Sequence, residues 1–346
     1  MTINFGIAGC GHIAAKHASA LADMENARLA AVCDLDQKRT LPFVQRYNAT
    51  PYIAYEDFLK HNPLDAVIIC APSGLHFQLG EKAALAGKHL LVEKPFVLNV
   101  ADGKKLVDTC REKGLLLGVV HPNRTKPAVT ALKNALRQEL FGRITHVSAV
   151  LRWNRNAEYF SAAAWRGTKL LDGGILFNQA IHNIDLLNWL AGPVEEVFAY
   201  GATRIHSIEC EDVCACALKF RGGALGLIEA AVTIYPRNLE ESLAVFGSRG
   251  TAVLGGTVLS GVKEWKFADM TEDESRQQAE IINGTPNTPG HMVVLRDFIS
   301  AINDNRPPMV SGEEALKTLC LIKAIYRSME TGRPAEVHYI EGCDRP

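Results

Sequence analysis

Residues 3–14 read INFGIAGCGHIA, and this stretch decides the fold of the first part of the chain. The apolar run Ile3–Ala8 has the length of a buried strand, and the residues that follow it, Gly9-Cys10-Gly11-His12-Ile13-Ala14, fit the pattern G-x-G-x-x-A. In this pattern the first glycine allows a tight turn, the second lets the backbone approach a pyrophosphate, and the small last residue packs the helix closely on the strand. The stretch therefore predicts a strand, a turn and a helix that bind a dinucleotide.

The end of the next apolar run indicates which dinucleotide is bound. Asp34 directly follows Leu29–Cys33, where a carboxylate can accept a hydrogen bond from the ribose 2′-hydroxyl of NAD. The same carboxylate would repel a 2′-phosphate, so the sequence favours NAD over NADP. Lys38 and Arg39 lie close by in the sequence, and they keep NADP open as an alternative.

Short apolar runs alternate with helical patterns over the first 120 residues, which is typical of βαβ units and a parallel sheet. We predict an α/β fold in which residues 1–122 form a doubly wound, NAD-binding Rossmann domain with ligands at the carboxyl edge of its sheet. Two strand ends at this edge carry further candidates for cofactor binding, namely Ser73 and His76 after one strand and Glu93 after the next.

Lys94 follows Glu93 in the same loop and is the first candidate for catalysis. A lysine beside the cofactor can exchange a proton with a substrate hydroxyl, and its positive charge stabilises negative charge that develops on the oxygen.

Beyond His121-Pro122 the pattern changes to helices followed by strands about ten residues apart. We predict that residues 123–346 form an α+β domain with a large, mostly antiparallel sheet that serves substrate binding and oligomerisation. One face of such a sheet is covered by helices and the other is apolar, so we expect a homo-oligomer, with a homotetramer as the specific prediction. The polar stretch Met270–Gly290 is predicted to be a long loop.

Composition narrows the classes of function. The chain has 346 residues, of which 47% are hydrophobic and 22% charged, and its formal net charge is −1. This argues against a nucleic-acid partner and against a membrane surface, because neither would find a basic face. The nine cysteines follow no metal-binding spacing, so we predict no metal, no structural disulfide and a cytoplasmic location.

Two further patterns are candidates for substrate binding. A predicted helix from Asn178 to Leu190 would carry Asn178, His182 and Asp185 on one polar face, with Asp185 able to orient the imidazole of His182. Basic residues also outnumber acidic ones between residues 143 and 169, and arginine is suited to carboxylates and phosphates. We therefore predict an anionic substrate, bound by the following residues of this region: Arg152, Arg155 and Tyr159.

The motifs Gly9-x-Gly11-x-x-Ala14 and Glu93-Lys94-Pro95, together with Gly173-Gly174 before Asn178 and His182, resemble the Gfo/Idh/MocA family of oxidoreductases over nearly the whole chain. The resemblance implies that Lys94 is the catalytic lysine and His182 a second acid/base. It also implies that Asn123, Trp165 and Arg166 bind the cofactor. Many sugar dehydrogenases of the family have Asp where this chain has Asn178, and this departure leaves the usual Lys-Asp-His triad incomplete.

The segment from Arg152 to His182 is similar to the subgroup that oxidises UDP-N-acetylglucosaminuronic acid at C3, which also has Asn at this position. The resemblance therefore implies a nucleotide-sugar dehydrogenase for surface polysaccharide synthesis, with Lys94, Asn178 and His182 among its substrate-binding residues and possible use of 2-oxoglutarate to reoxidise NADH. Three alternatives are a dehydrogenase of a free cyclitol or monosaccharide, an NAD-dependent glycoside hydrolase and a non-enzymatic NAD-binding regulator. Retention of both Lys94 and His182 argues against the regulator.

Overall fold

The computed structural model describes residues 1–340, which divide into two compact units. The first unit comprises Met1–Pro122 and Pro289–Leu316, and the second comprises Asn123–Thr288 and the chain from Lys317 on. This differs from the predicted division into residues 1–122 and 123–346, because Pro289–Leu316 returns to the first unit. The last six residues of the predicted second domain lie outside the described part of the chain.

The first unit contains a six-stranded parallel sheet. Its strands are β1 (Ile3–Ala8), β2 (Ala27–Cys33), β3 (Thr50–Tyr52), β4 (Ala66–Ile69), β5 (His89–Val92) and β6 (Leu117–Val119). They are arranged in the order β3-β2-β1-β4-β5-β6, and every neighbouring pair is parallel. The chain reverses its direction of winding between β1 and β4, and the carboxyl ends of strands at such a reversal form the ligand-binding edge. The predicted doubly wound α/β sheet is confirmed.

Helices cover this sheet, which explains why its strands are almost wholly apolar. With helices numbered in chain order, those of the first unit are α1 (His12–Ala22), α2 (Gln37–Tyr47), α3 (Tyr55–Leu59), α4 (His76–Leu85), α5 (Val100–Glu112) and α11 (Gly290–Asp304). Helix α11 explains the unexpected division of the chain. Its residues Leu295 and Phe298 are fully buried in the same hydrophobic cluster as Ile3 and Phe5 of β1.

The second unit contains an eight-stranded sheet. Its strands are β7 (Ile144–Arg152), β8 (Val194–Ala202), β9 (Val213–Phe220), β10 (Leu225–Ala231), β11 (Glu240–Gly247), β12 (Gly250–Gly255), β13 (Gly261–Phe267) and β14 (Ala335–Glu336). The order is β13-β12-β11-β7-β10-β9-β8-β14. Strands β7 and β10 pair in parallel, and the other neighbouring pairs are antiparallel. This agrees with the predicted α+β organisation.

The helices of the second unit include one that was not expected. They are α6 (Pro127–Arg137), α7 (Ala157–Ser161), α8 (Ile175–Asn178), α9 (Ile181–Ala191) and α10 (Glu272–Gly284), while α12 (Gly312–Thr331) begins in the first unit and ends in the second. Helix α10 lies in Met270–Gly290, so the prediction of a long loop there is wrong. Thr271 and Glu274 form a capping box at its start. The helix buries only Ser275 and therefore lacks the apolar stripe that marks most helices.

The strands of the second sheet alternate between buried and exposed side chains. Several exposed side chains are large and apolar, among them Tyr200, Leu225 and Leu227, each more than half exposed. Among the described residues, no helix combines the length and the apolar character needed to cross a bilayer.

Candidate active site

The turn between β1 and α1 has the geometry of a pyrophosphate site. A Cβ built on Gly11 would have no atom within 4 Å, and α1 has neither a side-chain cap nor an acidic residue in its first turn. The N–H groups at the start of α1, beside exposed His12 and half-buried Ile13, can therefore bind an anion. Gly9 has a φ of +93°, and a Cβ there would lie 2.7 Å from the backbone nitrogen of Ala71. These two glycines fit the dinucleotide that the sequence predicts.

The two glycines can be separated experimentally. We expect Gly11→Val to fold like the wild type, because Gly11 has open space and a φ of −84°, but to bind NAD about 100-fold more weakly, or roughly 2.8 kcal/mol. Gly9→Ala should instead destabilise the chain by about 1–3 kcal/mol, since it introduces both strain and a backbone clash. Calorimetric titration with NAD and thermal unfolding measure the two effects. Unchanged NAD affinity in Gly11→Val would contradict this assignment.

Asp34 joins the end of β2 to the glycine turn. Its Oδ2 accepts a hydrogen bond of 2.8 Å from the backbone N–H of Cys10, and its Oδ1 accepts one of 2.9 Å from that of Asp36. Arg39, which kept NADP open, lies 3.7 Å from the carboxylate of Asp36, so part of its charge is neutralised. The backbone of Asp34 also bonds to Tyr52.

Tyr52 borders a cavity of about 340 Å³ in the first unit. This volume lies within the range of small-molecule pockets, and its position beside Asp34 suits the adenosine half of a dinucleotide. The cavity is lined by Gln37, Thr40, Pro51, Tyr52, Ile53, Ala54 and Asp57.

His76 connects the two strand-end loops that the sequence singled out. Its ring is 1% exposed, with Nδ1 2.8 Å from the carbonyl oxygen of Pro95 and Nε2 2.8 Å from that of Ala71. Burial lowers the pKa of His76, while hydrogen bonds to the two carbonyls act in the opposite direction. These contacts show that His76 links the two loops, and its predicted contact with the cofactor stays a prediction. Ser73, in the loop between Ala71 and His76, is also buried.

Glu93 is a buried carboxylate in the loop that carries half-buried Lys94. Its Oε1 lies 2.7 Å from Nε2 of His17 and 3.6 Å from Nε2 of His291, and its Oε2 accepts a hydrogen bond of 3.2 Å from the backbone N–H of Lys94. Burial alone would raise the pKa of Glu93, but the hydrogen bond with His17 and the positive charges nearby lower it. Glu93 therefore remains ionised.

His17, Glu93 and His291 are also the one place in residues 1–340 where three potential metal ligands meet. The separation of 2.7 Å between His17 and Glu93 is that of a direct hydrogen bond. Burial lowers the pKa of His291 to about 4, and the charges of Lys16 and Lys94 add to this effect. Because these lysines would also repel a cation, we interpret the cluster as a hydrogen-bonded network.

In the second unit, the predicted helix from Asn178 to Leu190 is two helices. Asn178 ends α8 and His182 lies in the first turn of α9, so the two residues do not share a helix face as predicted. Asn178 donates a hydrogen bond to the buried carboxylate of Asp172, which also accepts one of 2.7 Å from the backbone N–H of Gly167. Asp172 therefore connects the turn after Trp165-Arg166 to the segment that precedes His182.

Glu211 and Tyr326 hold the start of α8. The hydroxyl of Tyr326 lies 2.8 Å from both the carbonyl oxygen of Gly173 and Oε1 of Glu211, and Glu211 accepts a hydrogen bond of 3.1 Å from the backbone N–H of Leu176. Burial raises the pKa of Glu211 to about 7. Gly174, with a φ of +107°, lies so close that a Cβ would be 2.5 Å from the Tyr326 hydroxyl.

Arg152 does not offer the free positive charge that the sequence predicted. Its guanidinium makes hydrogen bonds of 2.6 and 2.7 Å to the carboxylate of Glu229 and one of 2.7 Å to that of Glu240. These acids lie on the two strands that flank β7. A count of charges along residues 143–169 misses them because they are distant in sequence, and the contact of Arg152 with an anionic substrate stays a prediction.

Arg155 and Arg166 instead stack with aromatic side chains. The Cζ atom of Arg155 lies 4.8 Å from the ring centre of Trp153 and 5.1 Å from that of Tyr159, and Cζ of Arg166 lies 4.0 Å from Tyr159 and 5.6 Å from Trp165. The buried Nε–H groups of both arginines make no hydrogen bond to any residue among 1–340. Buried donors of this kind are costly unless an acceptor reaches them.

Asn123 and Arg124 are the first two residues of the second unit, and the sequence did not single out Arg124. Its guanidinium makes two hydrogen bonds of 2.8 Å to Asp185, whose Oδ1 also accepts one of 3.0 Å from Thr318. Asp185 therefore attaches the segment that precedes α6 to helix α9. The side chain of Asn123 lies 3.4 Å from Oε1 of Glu241, and its predicted contact with the cofactor stays a prediction.

Comparison with known proteins identifies the family. One family model, described as an oxidoreductase family with an NAD-binding Rossmann fold, matches residues 3–121, and a second, described as a GFO/IDH/MocA C-terminal domain, matches residues 129–253. The chain belongs to the Gfo/Idh/MocA family. The predicted family is thereby confirmed, and so is NAD as the cofactor. As a Gfo/Idh/MocA protein, the chain is an NAD-dependent oxidoreductase of sugars or polyols.

Two solved structures of the family are similar over almost the whole chain. The WlbA dehydrogenase from Bordetella pertussis, in complex with NADH and UDP-GlcNAcA, is 37% identical with a TM-score of 0.91, covering 97% of this chain and 98% of that one. The WlbA dehydrogenase from Chromobacterium violaceum, with the same two ligands, is 35% identical with a TM-score of 0.93, covering 98% and 97%. Among curated proteins, D-apiose dehydrogenase from Paraburkholderia graminis is 28% identical over 96% of this chain and 89% of its own.

Proposed function

We propose that this enzyme oxidises C3 of UDP-N-acetylglucosaminuronic acid with NAD, in the synthesis of amino sugars for surface polysaccharides. The observation that carries the proposal is the similarity, at 35% and 37% identity over nearly the full length, to two WlbA dehydrogenases crystallised with NADH and UDP-GlcNAcA.

Two residues, Lys94 and His182, carry the proposed chemistry. NAD, when bound, accepts a hydride from the sugar carbon. Lys94 accepts the proton of the C3 hydroxyl at Nζ, so that the oxygen can become a carbonyl, and its positive charge then stabilises that oxygen. His182 serves as a second acid/base, and Asn178 is a further substrate contact in the same unit.

Arg155 of the second unit supports an anionic substrate. A uronate and a diphosphate together present several acceptor oxygens, and the buried Nε–H group of Arg155 needs such an acceptor, whereas that of Arg166 stays assigned to the cofactor, which also carries phosphate oxygens. Tyr159 lies between the two guanidinium groups and holds their planes in place, which lowers the entropic cost of binding. A neutral sugar would satisfy the Arg155 donor less well.

The alternative is a dehydrogenase of a free monosaccharide or cyclitol, which the similarity to D-apiose dehydrogenase favours. The two candidates are distinguished by incubating the purified enzyme and NAD with UDP-N-acetylglucosaminuronic acid, D-apiose or myo-inositol, with and without 2-oxoglutarate. We expect the nucleotide sugar to lose two hydrogens by mass, while NADH accumulates or 2-oxoglutarate is reduced. NADH formation with a free sugar alone would overturn the proposal.

The open sheet face supports a homo-oligomer. Exposed Tyr200, Leu225 and Leu227 form an apolar surface of the kind that a second copy of the chain covers. A homotetramer and a cytoplasmic location stay our predictions. Sedimentation equilibrium, which measures the mass of the assembly, tests the number of subunits.

A further inference from the structure

Glu93 brings three separate segments of the first unit together. His17 comes from α1, His291 from α11, and Lys94 follows Glu93 in its own loop. One carboxylate oxygen faces the two histidines, at 2.7 and 3.6 Å, and the other accepts the backbone N–H of Lys94 at 3.2 Å. A helix from the distant carboxyl-terminal part of the sequence therefore contacts the loop that carries the proposed catalytic lysine.

The surroundings of Glu93 make a hydrogen-bond partner necessary for its charge, and His17 is that partner. The Glu93 residue is 5% exposed and His17 is wholly buried, and an isolated carboxylate in such a place would be neutralised by a proton. The rings of His17 and His291 meet edge to face with their centres 5.3 Å apart. Their contact with each other fixes the direction from which both approach the carboxylate.

We propose that His17 and His291 are positioning residues for Lys94, which they hold in place through the ionised carboxylate of Glu93. The inference rests on the proposed role of Lys94 in proton transfer. Glu93 accepts a hydrogen bond from the backbone N–H of Lys94, and the two charged side chains interact, because the charge of Lys94 lowers the pKa of Glu93. A nearby negative charge makes a lysine harder to deprotonate, so the cluster sets the pH at which Lys94 can accept a proton.

Other groups that interact with Glu93 define the rest of its electrostatic environment. The charge of Glu93 acts to raise the pKa of two neighbouring groups. These are the thiol of Cys70, directly after β4, and the ring of His76, on α4. The positive charge of Lys16, on α1, helps to lower the pKa of His291. The variants chosen for the test leave these three residues unchanged.

The direct test is titration of Lys94, followed by NMR of lysines labelled with ¹³C-methyl groups and assigned by comparison with Lys94→Arg. In Glu93→Gln, which keeps the shape and removes the charge, we expect Lys94 to titrate about one pH unit lower than in the wild type. His17→Leu should shift it in the same direction, and adding His17→Leu to Glu93→Gln should shift it no further. His17→Gln retains a donor in place of Nε2 and should restore the wild-type value.

His89→Gln serves as the matched control, because His89 lies at the opposite end of β5 and accepts its hydrogen bond from the backbone of Leu116. Where His17→Leu does not fold, His291→Leu replaces it and should give a smaller shift in the same direction. Wild-type titration of Lys94 in Glu93→Gln would overturn this inference. Because the titration needs no substrate, a shift found together with no turnover of UDP-N-acetylglucosaminuronic acid would refute the proposed function and leave the inference standing.

Discussion

Replacing Lys94 by Ala should lower kcat for the proposed substrate, UDP-N-acetylglucosaminuronic acid, by about 10³-fold, within the range expected when a general acid/base is removed. The affinity for NAD should change little, because we assign dinucleotide binding to the glycine turn and Asp34 and not to the side chain of Lys94. Steady-state kinetics and calorimetric titration with NAD measure the two quantities.

Lys104→Ala is the control for this substitution, since Lys104 is exposed on α5 and pairs there with Asp108. It should retain wild-type turnover and NAD affinity. Turnover of Lys94→Ala within a few-fold of the wild type would remove Lys94 from the chemistry. A parallel loss of NAD affinity would instead assign Lys94 to cofactor binding.

Replacing Asp185 by Ala destabilises the protein by about 3–5 kcal/mol, the usual cost of leaving one member of a buried ion pair without its partner. The side chains of Arg124 and Asp185 are 3% and 1% exposed, so water cannot replace the lost contact. Thr318→Val, which removes one hydrogen bond to Asp185, should cost about 1 kcal/mol. Unfolding in urea, followed at neutral pH, measures both free energies.

Two further variants test the explanation of this loss. Asp273→Ala removes an exposed partner of Arg276 on α10 and should change stability by less than about 0.5 kcal/mol. The double variant Arg124→Met/Asp185→Leu removes both charges and should recover most of the loss. If Asp185→Ala were as stable as the wild type, the Arg124–Asp185 ion pair would not be the contact that attaches the segment preceding α6 to helix α9.

The parts of the fold that sequence could predict are those in which neighbouring residues carry the signal. The glycine turn after β1 is one example, because its glycines act within a few residues of one another. Strand β1 is another, since the predicted apolar run and the observed strand are both Ile3–Ala8. The positions of Gly9 and Gly11 in the predicted dinucleotide site could be read from the sequence because the whole motif lies within a few residues.

The features that sequence could not predict depend on residues far apart in the chain. Helix α11 looks like any amphipathic helix, and only the burial of Phe298 in the first core assigns it to that unit. Arg152 looked unpaired because Glu229 and Glu240 come from other strands.

The residues of the candidate site also include some that the sequence indicated and one that it missed. Local patterns singled out Lys94 at a strand end and His182 on a polar helix face, and the family motifs then assigned their roles. His17 was missed, although it lies between Ala14 and Leu21 on the buried side of α1. A histidine on such an apolar face needs a polar partner, but the sequence could not identify that partner as Glu93.

The measurement that tests the central claim most directly uses UDP-N-acetylglucosaminuronic acid deuterated at C3. We predict that the purified enzyme transfers the deuterium from the sugar to the nicotinamide, so that the NADH formed carries the label and the sugar product has lost it. NADH without deuterium, or a sugar product that keeps the label at C3, would contradict the proposed oxidation.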